Sequence, residues 1–454
     1  MKIFQKTERL KIFAFFLFVI TFLAPKVVTA QEEIWESQDF DKTYNSIIRY
    51  YNSSTPIIYH YDVLNNNFIL DYSGFFSFFE LGFRCEIKDF EVLEEKYVFF
   101  CGNDQNGHGV MGYFNITNVY YSAYQYVYYK IFDDVNEKYF ITNLDRIEVF
   151  SCGGISNGVH VLLTGTGYTY DNINPKSIVL DVYNHTLTPS GWTLGMMYND
   201  LQHSQIDEIF DDIAVGDHYA AVAGRNEQNG LHVLRIFDKP VNTYTSIFST
   251  NTYHTYYESA FKPMYPVTLE NCIGDYFLSS SIADSSNHTR IILTMHNPLW
   301  TTNFTIGYAD NPIGRTKDMA YSLGQLYLLQ DYDFSGTYQS IVLNGNIYSS
   351  FIGSIHSDSC IFHSLEANDN NYGIAVASGS NMDPIVHNMF LLRYQRDLSS
   401  AQPLPCSIVD DFTFGIWPIR PNVDVQANSV YYFNVDFEQK SVSPHWCFPN
   451  IKCQ

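Results

Sequence analysis

The chain has 454 residues, and its 48 acidic and 26 basic side chains give a formal net charge of −22 at pH 7. Such a surface repels phosphate, so nucleic acid and anionic lipid are excluded as partners. Only 16% of the residues are charged, while 36 are tyrosine and 35 are phenylalanine, so the chain has enough apolar area to fold and is not disordered.

The N-terminal residues have the pattern of a secretory signal peptide. Basic residues precede an apolar run from Ile12 to Ala24, and small residues occupy the end of Val28-Thr-Ala30. The run is too short to span a bilayer, so we expect cleavage after Ala30 and a protein that is periplasmic or secreted, with no membrane insertion. Residues 31–454 are then expected to form a single domain and a monomer.

A three-strand pattern recurs along the chain. Its middle strand ends in a small residue and glycine, as in YVFFCG from Tyr97, VHVLLTG from Val159, YAAVAG from Tyr219 and GIAVASG from Gly373. These segments are short, rich in β-branched and aromatic residues, and bounded by Gly, Asn and Asp, which is typical of strands. The sequence therefore predicts an all-β fold built from repeated four-stranded units.

The leading strand of each unit supplies an apolar anchor residue, and the anchors lie roughly 50 residues apart, the length of a four-stranded antiparallel unit. The anchors are Phe90, Ile147, Ile213, Val267, Met319, Leu365 and Phe412. We interpret them as a β-propeller of seven blades, with six as the alternative count. A solenoid and a pair of sandwiches are less favoured, because neither explains this spacing and recurrence.

Two further features accompany the repeat. Asp89, Asp212 and Asp318 each precede an anchor, and their repetition indicates a structural hydrogen bond rather than a site. The segment from Ile47 to Tyr72 also has strand composition, and we expect it to pair with C-terminal strands such as Ser429 to Asp436, which would close the ring.

The segment from Lys88 to Ile116 resembles a recurrent phrase in large exported proteins of gut Bacteroidetes that look like β-propellers. The resemblance extends loosely to about Gln395. It implies a propeller fold in an exported bacterial protein, and because its motif is structural it carries over no catalytic residue.

All eight cysteines follow the signal peptide, and an even count in an exported chain permits disulfide bonds. Cys447 with Cys453 is the first expected pair, because it closes a short loop, and Cys85 with Cys101 is the second. Their spacing matches no zinc site, and no metal or other cofactor is expected.

Three segments match catalytic, nucleotide-binding or calcium-binding motifs in sequence, but the residues around them do not fit the structure that each motif needs. Gly154 to Gly158 spells GxSxG around Ser156 without the helix that a nucleophile elbow needs, and Gly107 to Gly112 spells GxGxxG ahead of a strand. Asp331 and Asp333 precede Gly336 at the spacing of a calcium loop, but the distal glutamate is missing and a hairpin turn is favoured.

The candidate binding residues are Trp192, Trp300 and Trp417, which the repeat places in segments between strands. Exposed aromatic rings in such loops stack on sugars or contact peptides. Lone histidines in the repeat, including His160, are interpreted as structural.

No sequence motif defines a reaction. The favoured function is therefore that of a binding protein that presents propeller loops to a glycan or a protein partner. The alternative is an extracellular enzyme that cleaves polysaccharide or peptide with carboxylates at the mouth of the propeller channel.

Overall fold

The computed structural model describes residues 34–36 and 46–453 with gaps that lie mainly between strands, and it describes side chains chiefly over 81–279 and 430–441. The described residues form antiparallel sheets with two one-turn 3-10 helices, Ile155–Asn157 (η1) and Ile247–Ser249 (η2). The all-β prediction is confirmed. Among these residues no helix has the length and apolar character needed to cross a membrane. The expected signal peptide lies outside the described residues and stays a prediction.

The described strands form seven sheets of five strands each, and the first four sheets contain strands consecutive in the chain. Sheet 1 has β2 (Ser46–Tyr51), β3 (Ile57–Asp62), β4 (Asn67–Tyr72) and β5 (Phe75–Glu80). Sheet 2 has β6 (Cys85–Leu93), β7 (Tyr97–Asp104), β8 (Gly109–Asn115) and β9 (Gln125–Ile131). Sheet 3 has β10 (Tyr139–Ser151), β11 (Val159–Thr169), β12 (Asn172–Asn184) and β13 (Trp192–Tyr198). Sheet 4 has β14 (Glu208–Val215), β15 (Tyr219–Asn226), β16 (His232–Asp238) and β17 (Tyr253–Glu258).

The remaining sheets follow the same plan, except that sheet 7 takes its fourth strand from the N-terminus. Sheet 5 has β18 (Thr268–Ile273), β19 (Tyr276–Ser285), β20 (His288–Asn297) and β21 (Trp300–Gly307). Sheet 6 has β22 (Gly314–Ser322), β23 (Gln325–Phe334), β24 (Thr337–Asn346) and β25 (Phe351–His356). Sheet 7 has β26 (Ile361–Ala367), β27 (Tyr372–Ser378), β28 (Met389–Gln395) and β1 (Ile34–Glu36).

The fifth strand of every sheet comes from the C-terminal segment, residues 408–453, which we name the C-terminal belt. Its strands are β29 (Ile408–Asp410), β30 (Gly415–Ile419), β31 (Asn422–Asp424), β32 (Ser429–Val435), β33 (Glu438–Val442), β34 (His445–Cys447) and β35 (Asn450–Cys453). They join sheets 6, 5, 4, 3, 2, 1 and 7 in that order. The predicted four-stranded units are therefore completed as five-stranded sheets.

The expected pairing of Ile47 to Tyr72 with Ser429 to Asp436 is wrong. The first segment forms β2–β4 of sheet 1, a repeat unit that lacks the glycine signature. The second forms β32, which pairs with β13, with Phe433 opposite Leu194. Phe412 itself lies outside the described residues, but the strands on either side of it are belt strands, so no repeat unit starts there.

The first strands of the sheets also contact one another. Contacts join β2 to β6, β6 to β10, β10 to β14, β14 to β18, β18 to β22, β22 to β26, and β26 to β2. Each first strand is therefore packed between two others, and it is the strand farthest from the belt strand of its own sheet.

The repeated glycine of the middle strand is required by an irregularity in the first strand. In sheet 4 the register shifts between Phe210 and Asp212, and Gly224 lies opposite this β-bulge. A Cβ at Gly224 would overlap the backbone carbonyl oxygen of Ile209, and one at Gly102 would overlap that of Glu86. The bulge brings two backbones so close that only glycine fits.

The repeated aspartates form structural hydrogen bonds, as the sequence predicts, and these bonds also link successive sheets, which the sequence did not indicate. Asp89 accepts hydrogen bonds from the amide of Phe90 (2.9 Å) and from the amide of Ile147 in the next sheet (3.1 Å). Asp212 accepts from the amide of Leu269 in the following sheet (2.8 Å). In sheet 6, Asp318 accepts from the hydroxyl of Ser364 (2.7 Å). These bonds satisfy backbone and hydroxyl donors between the first strands.

Candidate functional site

Trp192 is fully buried, so its predicted role as an exposed binding residue is wrong. Its ring lies 5.6 Å from that of Tyr113 and 5.1 Å from that of Phe437, between sheets 2 and 3. Its indole Nε1 donates to the carbonyl oxygen of Thr188 (2.7 Å). An indole with its polar atom satisfied inside an aromatic cluster serves packing and is not available to a ligand.

Trp300 and Trp417 lie in strands rather than in loops. Trp300 begins β21 and Trp417 lies in the belt strand β30, opposite Thr305, so both belong to the outer strands of sheet 5. Their side chains are outside the described part of the structure, and a binding role for them stays a prediction.

The expected disulfide between Cys85 and Cys101 is not formed. The register of β6 and β7 puts Cys85 opposite Asp104 and Cys101 opposite Asp89, so the two residues are about 10 Å apart along the ladder, too far for a sulfur–sulfur bond. The side chains of Cys447 and Cys453 are outside the described residues, and their backbones lie in different sheets, 1 and 7. That pairing remains a prediction.

The calcium-like segment forms one arm of a hairpin. β23 and β24 pair as far as Phe334 opposite Thr337, so Asp331 and Asp333 lie on a strand that leads into a two-residue hairpin loop. Their side chains are not among those described. Within the described residues, no group of three or more His, Cys, Asp or Glu side chains has the arrangement of a metal site.

An exposed aromatic surface follows the boundary between the outer strands of sheets 2 and 3. It consists of Tyr97 of β7, Tyr126 and Tyr128 of β9, and Tyr431 and Phe433 of the belt strand β32, and we name it the tyrosine seam. Tyr126 is 47% exposed, and the other four are partly buried against the aromatic core between the two sheets.

The seam is supported by that core. The ring of Tyr128 stacks on the buried Tyr113 with centroids 5.0 Å apart. Burial raises the pKa of Tyr128, and the neighbouring Tyr126 and Tyr97 raise it further. Rings held in this way lose little entropy when a ligand stacks on them.

The belt also fixes the edge of the seam. The hydroxyl of Tyr129 on β9 donates to Glu438 of β33 (2.9 Å), and the ring of Tyr129 stacks on that of Phe83 at 4.1 Å. Tyr129 therefore ties the fourth strand of sheet 2 to its belt strand on the sheet face opposite Tyr128.

Sequence reasoning missed the seam because it searched loops for tryptophan. The signal was the alternation in QYVYYKI, where Tyr126 and Tyr128 share one strand face. The contribution of Tyr431 and Phe433 required knowledge of the belt, which brings residues of sequence-distant strands to the same boundary.

A second group of polar residues lies on the first strands, at their bulges. Asp145 of sheet 3 interacts with Lys88 of sheet 2 and with Asp211 of sheet 4. Burial raises the pKa of Asp145, and it raises the pKa of Asp211 to about 6 despite the opposing effect of Arg225. The amide of Val267 donates to Asp211 (3.0 Å). Carboxyl groups with raised pKa values are the type that general acid catalysis uses.

We expect Asp211→Asn to stabilise the protein at pH 7.5 by about 2 kcal/mol and to leave its stability at pH 4 unchanged. The folded pKa of Asp211 lies above its unfolded value, so the stability that its protonated form contributes is present below about pH 4 and is lost as the pH rises through about 6. Asparagine stays neutral and keeps an oxygen for Val267. Urea unfolding at both pH values measures the difference.

The exposed Asp133 provides the control, since Asp133→Asn should change stability little at either pH. If Asp211→Asn destabilises the protein equally at both pH values, the carboxylate of Asp211 is a stabilising ionic partner and the burial argument fails.

No protein-family model matches the chain, and no curated protein matches it. One solved structure to which the chain is similar is that of the polysaccharide lyase Uly1, with 6% sequence identity and a TM-score of 0.31 over 70% of this chain and 91% of that one. A likeness of that size carries no argument about fold or activity.

Proposed function

We propose that the seven sheets close into a β-propeller and that the protein is exported and binds a glycan through the tyrosine seam. Ring closure is supported by the contacts between first strands, which return from β26 to β2, and by β1, which lies between β28 and β35 in sheet 7. In such a ring sheet 7 combines the N-terminal strand β1 with the C-terminal strand β35, and every first strand has a neighbour on each side.

The tyrosine seam is the observation that carries the binding function. It combines the exposed ring of Tyr126 and four partly buried rings with phenolic hydroxyl groups on hydrogen-bonded strands. Flat aromatic faces stack on the C–H faces of sugar rings, and hydroxyl groups bond to sugar hydroxyls. The acidic surface disfavours polyanionic ligands, so the proposed glycan is neutral.

We expect Tyr126→Ala to weaken glycan binding at least about fivefold, since loss of one stacked aromatic ring costs about 1–3 kcal/mol. A glycan array identifies the ligand, and calorimetry with wild type and variant measures the change. Tyr432→Ala is the matched control, because Tyr432 is 49% exposed on the same belt strand but faces away from the seam.

Equal weakening by both substitutions would show that the seam is not the binding surface. An array without any glycan signal, together with capture of a purified protein partner that Tyr126→Ala abolishes, would assign the seam to a protein and contradict the glycan proposal.

The enzyme alternative is favoured by one observation, the raised pKa values of Asp145 and Asp211 on neighbouring first strands. In that case the protein would hydrolyse the glycan, with one carboxyl group acting as acid and the other as base. Incubation of the bound glycan with protein, followed by chromatography of the products, tests this. Turnover that Asp145→Asn abolishes would refute a purely binding role.

A further inference from the structure

The strand register of sheet 3 places a thiol, an imidazole and a carboxylate on one face. His160 on β11 lies opposite Phe150 on β10 and opposite Tyr183 on β12. Cys152 follows the last residue of β10, and its amide donates to the carbonyl oxygen of Gly158 (3.3 Å), which continues the pairing of β10 with β11. Asp181 lies two residues before Tyr183, so Cys152 and Asp181 share the sheet face of His160 and are its diagonal neighbours. This face is directed towards sheet 4, where Phe150 and Cys152 join the same apolar cluster.

The imidazole of His160 is held in a fixed orientation. Its Nδ1 lies 2.8 Å from Oδ1 of Asp181, and the other carboxylate oxygen of Asp181 accepts from the amide of Ile247 (2.9 Å). The ring is stacked between Phe150, at 4.9 Å, and Tyr183, at 5.2 Å. Because Nδ1 is engaged by Asp181, Nε2 is the ring nitrogen left for a reacting partner.

In this structure the buried Nε2 atom of His160 has no hydrogen-bond partner, and the thiol that lies beside the imidazole is that of Cys152. Cys152 is partly exposed at the end of β10, and its thiol donates to the carbonyl oxygen of Pro240 (3.3 Å). Although burial lowers the pKa of His160, the charge of Asp181, their hydrogen bond and the adjacent Cys152 raise it to about 9. A histidine held next to a thiol is the pairing that enzymes with a cysteine nucleophile use.

A second cation lies nearby. The ammonium group of Lys239 is 4.6 Å from the centre of the Phe150 ring, donates to the carbonyl oxygen of Gly216 (2.7 Å) and interacts with Cys152. The thiol of Cys152 is therefore flanked by two basic side chains, one on its own sheet and one on the next. Burial raises the pKa of the thiols of Cys85 and Cys101, and nearby carboxylates raise it further.

Two glycines follow Cys152 in a turn with left-handed backbone. Gly153 and Gly154 have φ angles of 80° and 106°, and a side chain at Gly154 would come no closer than 3.9 Å to its nearest neighbour, Glu94. In the described part of the chain, the amide groups of these two glycines donate no hydrogen bond. Free amides next to a nucleophile are the donors that stabilise an oxyanion.

We propose that Cys152, His160 and Asp181 form a nucleophilic site that hydrolyses carboxylic esters. The thiolate of Cys152 bonds to the ester carbonyl carbon, the carbon–oxygen bond to the alcohol breaks, and the imidazolium of His160 gives its proton to the leaving alcohol. Water then attacks the thioester, His160 takes a proton from it, and the acid and the thiolate are released. Asp181 is a positioning residue. This site is independent of the tyrosine seam.

Two measurements test the proposal. The first uses the wild-type protein with iodoacetamide at pH 6, followed by mass spectrometry of each cysteine. Cys152 is expected to react at least tenfold faster than glutathione, and Cys101 should not react, because it is fully buried. A rate for Cys152 equal to or below that of glutathione would overturn the proposal without recourse to any variant.

The second measurement follows p-nitrophenol release from p-nitrophenyl acetate. Wild type is expected to show a burst of one equivalent, with acetate bound at Cys152. Cys152→Ser should abolish the burst, and His160→Gln and Asp181→Asn should slow it at least tenfold while their melting curves stay cooperative. A wild type without a burst, or a burst that Cys152→Ser retains, would contradict the proposal. If the two buried variants do not fold, the Cys152→Ser comparison decides.

Discussion

A chain that ends before Ile408 is expected not to fold. The truncation removes the fifth strand from each of the seven sheets and exposes the edges of their fourth strands. It also removes Val435 and Phe437 from the core between sheets 2 and 3. Seven unprotected edges promote aggregation, and the lost packing exceeds the stability of an ordinary domain. Soluble yield after expression and circular dichroism on heating measure the effect.

A shorter truncation provides the graded control. Removal of residues 445–454 deletes only β34 and β35 and changes only sheets 1 and 7. We expect this variant to fold with a lowered melting temperature. A chain of residues 31–407 that melts cooperatively at the same temperature as the full-length protein would show that the belt is dispensable.

Gly224→Ala is expected to destabilise the protein by roughly 3 kcal/mol, because the added methyl group overlaps the carbonyl oxygen of Ile209 and forces the bulge of β14 to open. Opening the bulge also displaces Asp212, which bonds to sheet 5. Urea unfolding monitored by fluorescence measures the loss.

Gly191→Ala is the matched control. Gly191 has a φ angle of 81°, so alanine is strained there, but no atom lies within 4 Å of the added carbon. The expected cost is about 1 kcal/mol. If the two substitutions cost the same, backbone contact at the bulge does not explain the repeated glycine.

The repeat could be found from the sequence because the β-bulge of each first strand requires a glycine in the strand beside it. Gly102, Gly165 and Gly224 each face a bulge in the preceding strand, and that contact excludes every other side chain. Sheet 1 lacks the signature: β3 reads IIYHYD, and no register shift interrupts its pairing with β2. A search for the repeated glycine therefore does not find a unit that has no β-bulge.

The belt could not be predicted, because its strands are only three to seven residues long and pair with distant partners, from Ile408 with His356, 52 residues apart, to Cys453 with Ile34, 419 residues apart. The sequence shows strand composition near Ser429 but contains no local signal for the partner strand. The entropy cost of closing a long loop grows only slowly with its length, so pairing between distant strands is possible. Such pairing leaves no local pattern in the sequence.

The candidate sites depended on register, which the sequence leaves open. Trp192 and Tyr126 both lie near ends of strands, and only the packing of sheets 2 and 3 decides that the first is buried and the second exposed. The sequence shows that the chain contains Cys152, His160 and Asp181, but it does not show that they are neighbours. A shift of one residue in the pairing of β10 with β11, or of β11 with β12, would place them on opposite faces of the sheet.

The belt connects the fold with the proposed function, since β32 supplies Tyr431 and Phe433 to the tyrosine seam. Hydrogen–deuterium exchange of the full-length protein tests the belt most directly. In peptides covering Ser429–Val435 and Glu438–Val442, the amides that pair with β13 and β9, about every second one, are expected to exchange as slowly as those of the central strand β12. Complete exchange of the belt peptides within seconds, while β12 stays protected, would show that the C-terminal segment does not complete the sheets.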